Sequence, residues 1–208
     1  MTVKCNRERL LIVGAVCLAL AVCLIVYEIL FGAWNPFNRA ERLNARMEQL
    51  RTRFLAKPTN VAPLDELIRS LRSDESFERA AAATYIGRIG PQAERAVDPL
   101  VETLKSNDPY SAREAARALG EIGPSARRSV PALIQIVKEY PDSDRGWFAA
   151  EALGKVADSN DTNAVAALIG ATNHSNKLLR YDASVGLRNL EMRRHLHDPQ
   201  TQPARRGL

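Results

Sequence analysis

A recurring pattern of alanine, glycine and proline constrains the fold of this chain more than any other feature. The segment "RAAAATYIGRIGPQAERAVDPLVETL" has a second version in "REAARALGEIGPSARRSVPALIQIV", and Gly87, Gly120 and Gly154 mark the same place in successive copies, 33 and 34 residues apart. A period of this length is typical of stacked helical pairs, each of which buries its apolar face only against its neighbours. The pattern predicts an all-α fold, a short α-solenoid over residues 61–192.

Each copy contains its own helix boundaries. Asp108 is expected to cap a first helix that begins at Pro109, where the missing N–H of proline does no harm. Gly123 and Pro124 are expected to end that helix, because glycine adopts a left-handed conformation and proline prevents continuation. Gly90 has the same role one copy earlier. Second helices are expected near Pro99 and Pro131.

The fourth copy, "YDASVGLRNL", is degenerate. Its best alignment places Leu187 under Leu153 and Leu190 under Val156, and it puts Arg188 where the glycine belongs. The sequence therefore predicts about four repeats, of which the last departs from the pattern.

The middle copy, "DPYSAREAARALGEIGPSARRSVPALIQIV", resembles the short HEAT-like repeats of the phycobilin-lyase type. The resemblance covers roughly residues 61–190 and implies a binding framework. Proteins with such repeats include bilin lyase subunits, a di-iron hydroxylase of the deoxyhypusine type and many scaffolds. The hydroxylase needs His-Glu pairs, whereas none of His174, His195 and His197 is followed by glutamate. The lyase interpretation fits poorly, because the repeats contain no cysteine.

The stretch "LLIVGAVCLALAVCLIVY", residues 10–27, contains no charged side chain. As a helix it is about 27 Å long, close to the hydrocarbon thickness of a bilayer. A cleaved signal peptide and a lipoprotein signal are disfavoured by the length of the run and by the valines before Cys17 and Cys23. The sequence predicts a single transmembrane anchor over residues 10–34, preceded by a basic flank, residues 1–9.

An amphipathic helix is expected next, over residues 38–57. Leu43, Met47, Leu50 and Phe54 lie along one face of it. Two interpretations remain open: the stripe packs against the repeats, or the basic helix lies on anionic lipid headgroups.

The charge distribution argues against a nucleic-acid binder. The net charge of the chain is +5, but residues 61–190 carry 16 basic and 18 acidic side chains. A nucleic-acid-binding domain concentrates lysine and arginine on its folded surface. All three cysteines lie within residues 5–23, so the repeats have no disulfide framework.

No catalytic constellation accompanies the repeats. "GRIGPQ" and "GEIGPS" are helix ends that lack the lysine and hydroxyl of a phosphate loop. No nucleophile elbow or cysteine–histidine pair is present in the repeats. We therefore expect a non-enzyme with no cofactor, metal or small-molecule substrate.

Candidate partner-binding residues follow from the expected architecture. The second helices of such arrays line a concave face along which partners usually lie. The polar residues on them that we single out for binding are Glu102, Lys105, Gln135 and Lys138. Trp147 is added because an exposed tryptophan often anchors an interface.

The expected function is that of a membrane-anchored scaffold that binds a protein partner. The alternatives are an accessory or assembly factor for a membrane-associated enzyme complex and a bilin-lyase-like subunit. A single N-terminal anchor often translocates a large domain regardless of charge, which favours an exported repeat domain over a cytoplasmic one, although basic residues on both sides of the anchor compete. Residues 193–208 are expected to form a disordered basic tail.

Overall fold

A computed structural model describes the backbone of residues 36–197 and the side chains of residues 39–195. The chain divides into two compact units, Met1–Ala45 and Arg46–Leu208, and the repeats lie in the second. The described residues form nine α-helices: α1 Pro36–Ala56, α2 Ala62–Ser70, α3 Ser76–Ile89, α4 Val97–Leu104, α5 Pro109–Ile122, α6 Val130–Glu139, α7 Asp144–Val156, α8 Thr162–Thr172 and α9 Lys177–His197.

The helices alternate between two layers. The first helices α3, α5, α7 and α9 pack on one another in chain order. The second helices α2, α4, α6 and α8 each pack against the first helix of the next pair. Every second helix is therefore held by the repeat that follows it, and stacking is obligatory. The described residues contain no strand, so the predicted all-α class and the stacked-helix architecture are confirmed.

Close contacts at glycine hold the first helices together. A Cβ atom on Gly87 would lie 2.9 Å from Cα of Ala118, and one on Gly120 would lie 3.1 Å from Cα of Ala152. Because real Cβ atoms need more room, a side chain at Gly87 would force the helices apart, and one at Gly120 would require Ala152 to shift by a few tenths of an ångström.

The third contact joins Gly154 to Gly186, which are closer still. Gly186 holds in the fourth copy the place of Ala118 and Ala152, so the alignment that put Arg188 at the glycine position matches the packing. Arg188 is exposed on α9. The series of glycine contacts therefore ends at Arg188.

The connections after α3 and α5 are short 3₁₀ helices, Gly90–Ala96 and Gly123–Ser129. Gly90 has φ 75° and Gly123 has φ 69°, a backbone region that residues other than glycine rarely adopt. The 3₁₀ segments bring the second helices to start at Val97 and Val130, slightly before the prolines expected to open them.

Within the second unit, the apolar stripe of α1 is buried. Met47, Leu50 and Phe54 are at most 4 % exposed. Arg46 of α1 makes a salt bridge of 2.5 Å to Glu66 of α2. For this part of α1 the structure therefore favours packing in the repeat unit over a lipid-facing stripe.

The third repeat departs from the other two, because the connection between α7 and α8 has no Gly-Pro sequence and no 3₁₀ helix. Arg193 of α9 donates instead to the backbone oxygens of Gly154 and, at 2.8 Å, Lys155, which lie in the last turn of α7. These carbonyl groups have no partner within their own helix. Residues 193–197 belong to α9, although they were expected to belong to the tail.

Several predictions concern residues that the structure does not describe. The predicted anchor at residues 10–34, the flank at residues 1–9 and the tail from residue 198 onward lie outside the described range. Between residues 36 and 197, no helix combines the length and the apolarity needed to cross a bilayer.

Candidate protein-interaction face

The second helices α2, α4 and α6 repeat the same register. Leu67, Leu100 and Leu133 are fully buried and lie 33 residues apart. Since equivalent residues are buried, the residues that follow them at equal offsets point in equivalent directions. We define the second-helix face as the exposed residues on this side of α2, α4, α6 and α8, together with the residues at their C-terminal ends.

A column of cations runs along the second-helix face. Arg72, Lys105 and Lys138 follow the buried leucines by five residues in each case, and all three are exposed. The positive charges therefore recur once per repeat along this face. Lys105 and Lys138 make no ion pair with any other residue in the described range 39–195.

A second column lies one helical turn before the cations. It contains Arg69, Glu102 and Gln135, all exposed. Glu102 accepts a salt bridge of 3.2 Å from Arg72, and Gln135 donates to Glu139 over 2.8 Å. Exposed pairs of this kind contribute about 0–1 kcal/mol, so a partner displaces them at little cost. Glu102, Lys105, Gln135 and Lys138 therefore do lie on one face.

The column of cations does not continue at α8, where Asn173 holds the place of Lys138. Leu168 is fully buried there, as its counterpart Leu133 is in α6. Ile169 holds the place of Ile134, one helical turn before that of Lys138, and it is 49 % exposed. It lines an open cavity of about 330 Å³, shared with residues such as Thr162, Val165 and Arg194.

Trp147 lies elsewhere. It lies in the first turn of α7, which is the first helix of its repeat, and it is half-buried. Its indole Nε1 donates to the backbone oxygen of Pro141 at 3.0 Å. The guanidinium of the neighbouring Arg145 lies 3.2 Å from the centre of the Tyr140 ring. Trp147 therefore fastens the preceding loop to α7, and the structure does not bring it onto the second-helix face.

The described residues show no cluster of three or more side chains that suits a metal ion. The chemistry available on the second-helix face is that of recognition: four cations, an amide, a carboxylate and an exposed isoleucine. Sequence reasoning missed Arg72 and Ile169. The first has the same 33-residue spacing as Lys105 and Lys138, so the period alone was sufficient to find it. The second could also have been found from the sequence, because "VAALI", residues 165–169, repeats "VPALI", residues 130–134.

Comparison with known proteins agrees with this architecture. The sequence matches the family described as HEAT repeats over residues 61–153 and again over residues 97–188, which together span more than half of the chain. This chain belongs to the HEAT-repeat family. No curated protein matches its sequence.

The fold of this HEAT-repeat chain is also similar to that of a solved structure. A crystal structure of an engineered protein superposes with a TM-score of 0.57 at 21 % sequence identity, over 80 % of this chain and 78 % of the other. At that identity the likeness concerns the fold alone. The HEAT-repeat framework supports a role in protein–protein interaction, and its repeats generally act as binding surfaces rather than catalysts.

Proposed function

We propose that this HEAT-repeat protein is a non-catalytic scaffold, held at a membrane by residues 10–34, whose second-helix face binds an acidic surface of a protein partner. The observation that carries the proposal is the column of Arg72, Lys105 and Lys138, three exposed cations at equivalent places in successive repeats. A framework that repeats one charge at a fixed interval favours a partner with carboxylates at a matching interval.

The end of the second-helix face adds apolar contact to this charge. Ile169 and the cavity beside it follow the cations in the order of the repeats. Binding energy at interfaces comes chiefly from buried apolar or aromatic anchors, whereas peripheral charges mainly set specificity and association rate. The partner surface is therefore expected to combine carboxylates with one apolar side chain.

The membrane part of the proposal rests on sequence. Residues 10–27 carry no charge, and Lys4, Arg7 and Arg9 precede them. We place the repeats on the exported side of the membrane. A reporter enzyme that folds only in the cytoplasm, fused after Leu208, is expected to be inactive, and activity of that fusion contradicts this topology. Extraction of the full-length chain by alkaline carbonate contradicts the anchor itself.

The decisive experiment is crosslinking of the full-length protein in its native membrane, followed by mass spectrometry. The test variant is Lys105→Glu with Lys138→Glu, which reverses the charge of the second-helix face. The matched control is Arg53→Glu with Lys57→Glu, an equal charge change at exposed residues of α1 and the turn after it. All three proteins are compared at equal abundance.

A partner captured by the wild type and by the control, but reduced at least about tenfold in the Lys105 and Lys138 variant, supports the proposed function. A partner captured equally by all three proteins contradicts the role of this face. Ile169→Ser is a second test, because it removes the apolar contact and leaves the charges unchanged.

A further inference from the structure

A second exposed row lies on the first helices, at the edge where each of them begins. Phe77, Tyr110 and Leu178 are the second residues of α3, α5 and α9, and they are 41 %, 42 % and 53 % exposed. They occupy the same repeat position, ten residues before the glycine position. In α7 this position is held by Asp144. We call Phe77, Tyr110, Asp144 and Leu178 the edge row.

Hydrogen bonds and a salt bridge between neighbouring helix starts fix the position of the edge row. Asp108, which caps α5, accepts hydrogen bonds from Ser76 at 2.6 Å and Arg79 at 2.8 Å, and so joins the starts of α3 and α5. Arg113 of α5 lies 3.3 Å from Asp144 of α7.

The starts of α7 and α9 are joined in the same way. Asn176, just before α9, donates to Asp142, just before α7, at 3.1 Å. Neighbouring helix starts are therefore tied together along the whole row, and its side chains are presented at a fixed separation before any partner arrives. A preformed surface of this kind loses little conformational entropy on binding.

Two arginines near the edge row are directed into the protein. Arg79 donates to the backbone oxygens of Ser73 and Asp74, and Arg180 donates to those of His174 and Ser175. A third, Arg113, lies 5.0 Å from the centre of the Tyr110 ring and pairs with Asp144, whose side chain is still 53 % exposed. The row therefore presents Phe77, Leu178, the Tyr110 ring beside a guanidinium, and one carboxylate.

The interval along the edge row fits an extended peptide. Neighbouring packed helices are about 8–10 Å apart, and three residues of a polyproline II helix rise about 9 Å. Helix starts offer no strand edge with which a β-strand would pair, whereas polyproline II segments need no backbone partner and commonly dock on aromatic residues.

We propose that the edge row binds an extended, proline-containing segment of a partner protein that has an apolar side chain at every third residue and a cation where it meets Asp144. Each apolar side chain of the segment lies against Phe77, Tyr110 or Leu178, with Tyr181, 68 % exposed one turn further along α9, beside the last of them. This surface is separate from the second-helix face and does not depend on the function proposed for it.

The test uses fluorescein-labelled peptides and the full-length chain in phosphatidylcholine nanodiscs, with anisotropy as the readout. The probe is LPQLPQRPQL, together with its reversed sequence, because the row does not fix the direction of the segment. One control peptide, LPQQLPQQRPQQL, lengthens the interval to four residues. A second, LPQLPQEPQL, replaces the cation by glutamate.

We expect one direction of the probe to bind, and we expect both control peptides to bind at least about tenfold more weakly. The triple variant Phe77→Ser, Tyr110→Ser, Leu178→Ser is expected to lose binding. Asp144→Asn is expected to bind the arginine and glutamate peptides equally. Peptide binding by the single variants Phe77→Ser and Tyr110→Ser is measured separately, and thermal unfolding shows whether each variant is folded.

The variant with Lys105→Glu and Lys138→Glu serves as the control protein and is expected to bind the probe as the wild type does. Failure of both directions to bind at about 1 mM, binding that survives the triple variant, or equal binding of the four-residue-interval peptide overturns the proposal. Loss of binding in the Lys105 and Lys138 variant alone also overturns it, because the peptide then lies on the second-helix face.

Discussion

The carboxyl group of Asp182 in α9 lies within electrostatic reach of that of Glu151 in α7, whose charge acts on its pKa. Asp182 holds the place that Glu114 holds in α5, where Arg113 and Arg117 lie within 3.0 Å and 2.7 Å of the carboxylate. In α9 no such cation compensates: burial and then the negative charge of Glu151 raise the pKa of Asp182 to about 6. Equivalent positions in two repeats thus carry carboxyl groups in opposite electrostatic surroundings.

We expect Asp182→Asn to stabilise the protein at neutral pH only. The pKa of Asp182 is higher in the folded chain than its ordinary value of 3.8, so ionisation disfavours the folded state increasingly between about pH 4 and pH 6 and fully above that range. Because the side chain is only partly buried, solvent reduces the effect, and we expect a gain of about 1 kcal/mol. Thermal unfolding is expected to shift upward by about 2–4 °C near pH 7.5 and hardly at all near pH 4.

The control for this prediction is Asp74→Asn, which neutralises an exposed loop carboxylate. It is expected to change the unfolding temperature little at either pH. An equal gain from Asp182→Asn at both pH values contradicts the electrostatic explanation.

Asp108 is expected to be the most costly acidic side chain to remove. Burial alone would raise its pKa, but hydrogen bonds from Ser111, Ser76 and Arg79 outweigh burial and hold the pKa well below the usual range. Its stabilising effect is therefore present above about pH 4 and is lost as the pH falls further. Asp108→Ala is expected to lower the free energy of unfolding by about 2–4 kcal/mol at neutral pH.

Urea unfolding near pH 7 and near pH 3 checks this expectation. Asp108→Asn retains an oxygen that accepts the N–H of Tyr110 but loses the charge that meets Arg79, so about half of the cost is expected. If the cost of Asp108→Ala is greater in acid than at neutrality, the role assigned to the carboxylate is wrong.

Gly154→Ala is expected to destabilise the chain strongly, by about 2–4 kcal/mol, because its Cβ would overlap the backbone of Gly186. Gly170 offers a matched comparison: it lies in α8, and nothing is within 4 Å of the Cβ position. Gly170→Ala is expected to be neutral or to stabilise by up to about 1 kcal/mol, as alanine favours helix. Denaturant midpoints distinguish the two, and similar effects at both sites contradict the contact.

Neighbouring arginines near the end of α9 are expected to differ. Arg193→Met removes the donors to the last carbonyl groups of α7 and is expected to cost about 1–2 kcal/mol. Arg194 is exposed, and Arg194→Met is expected to cost less than about 0.5 kcal/mol. Amide hydrogen exchange is expected to quicken at the C-terminal turn of α7 in the first variant only. Equal exchange in both variants contradicts the capping role.

The repeated features of the fold are those that the sequence predicted well. Gly87, Gly120 and Gly154 are spaced at the period and lie in the helix contacts, and Gly90 and Gly123 end helices in a conformation that favours glycine. Each of these glycines meets a local structural requirement that recurs in successive copies. Comparison of the copies within one chain is therefore enough to recognise them.

The features that escaped prediction depend on departures from the period. Without a Gly-Pro turn after α7, Leu168 of α8 follows its counterpart Leu133 by 35 residues instead of 33, and Ile169 was not singled out. The capping by Arg193 joins residues 38 and 39 positions apart in a segment that polarity alone assigned to the tail. Trp147 was expected to be partly exposed, but nothing in its spacing indicated the hydrogen bond to Pro141. The anchor at residues 10–34 and the partner-binding role of the second-helix face stay predictions.

The replacement of glycine by Arg188 has a consequence for how a protein of this kind changes length. Duplication of an internal repeat preserves every glycine contact, because each copy brings both halves of the contact with it. Addition of a repeat after α9 does not, since the added helix would meet the long side chain of Arg188 at the place where the earlier helices contact a glycine. Duplication within the array therefore keeps the glycine contact, whereas the end of α9 does not offer one.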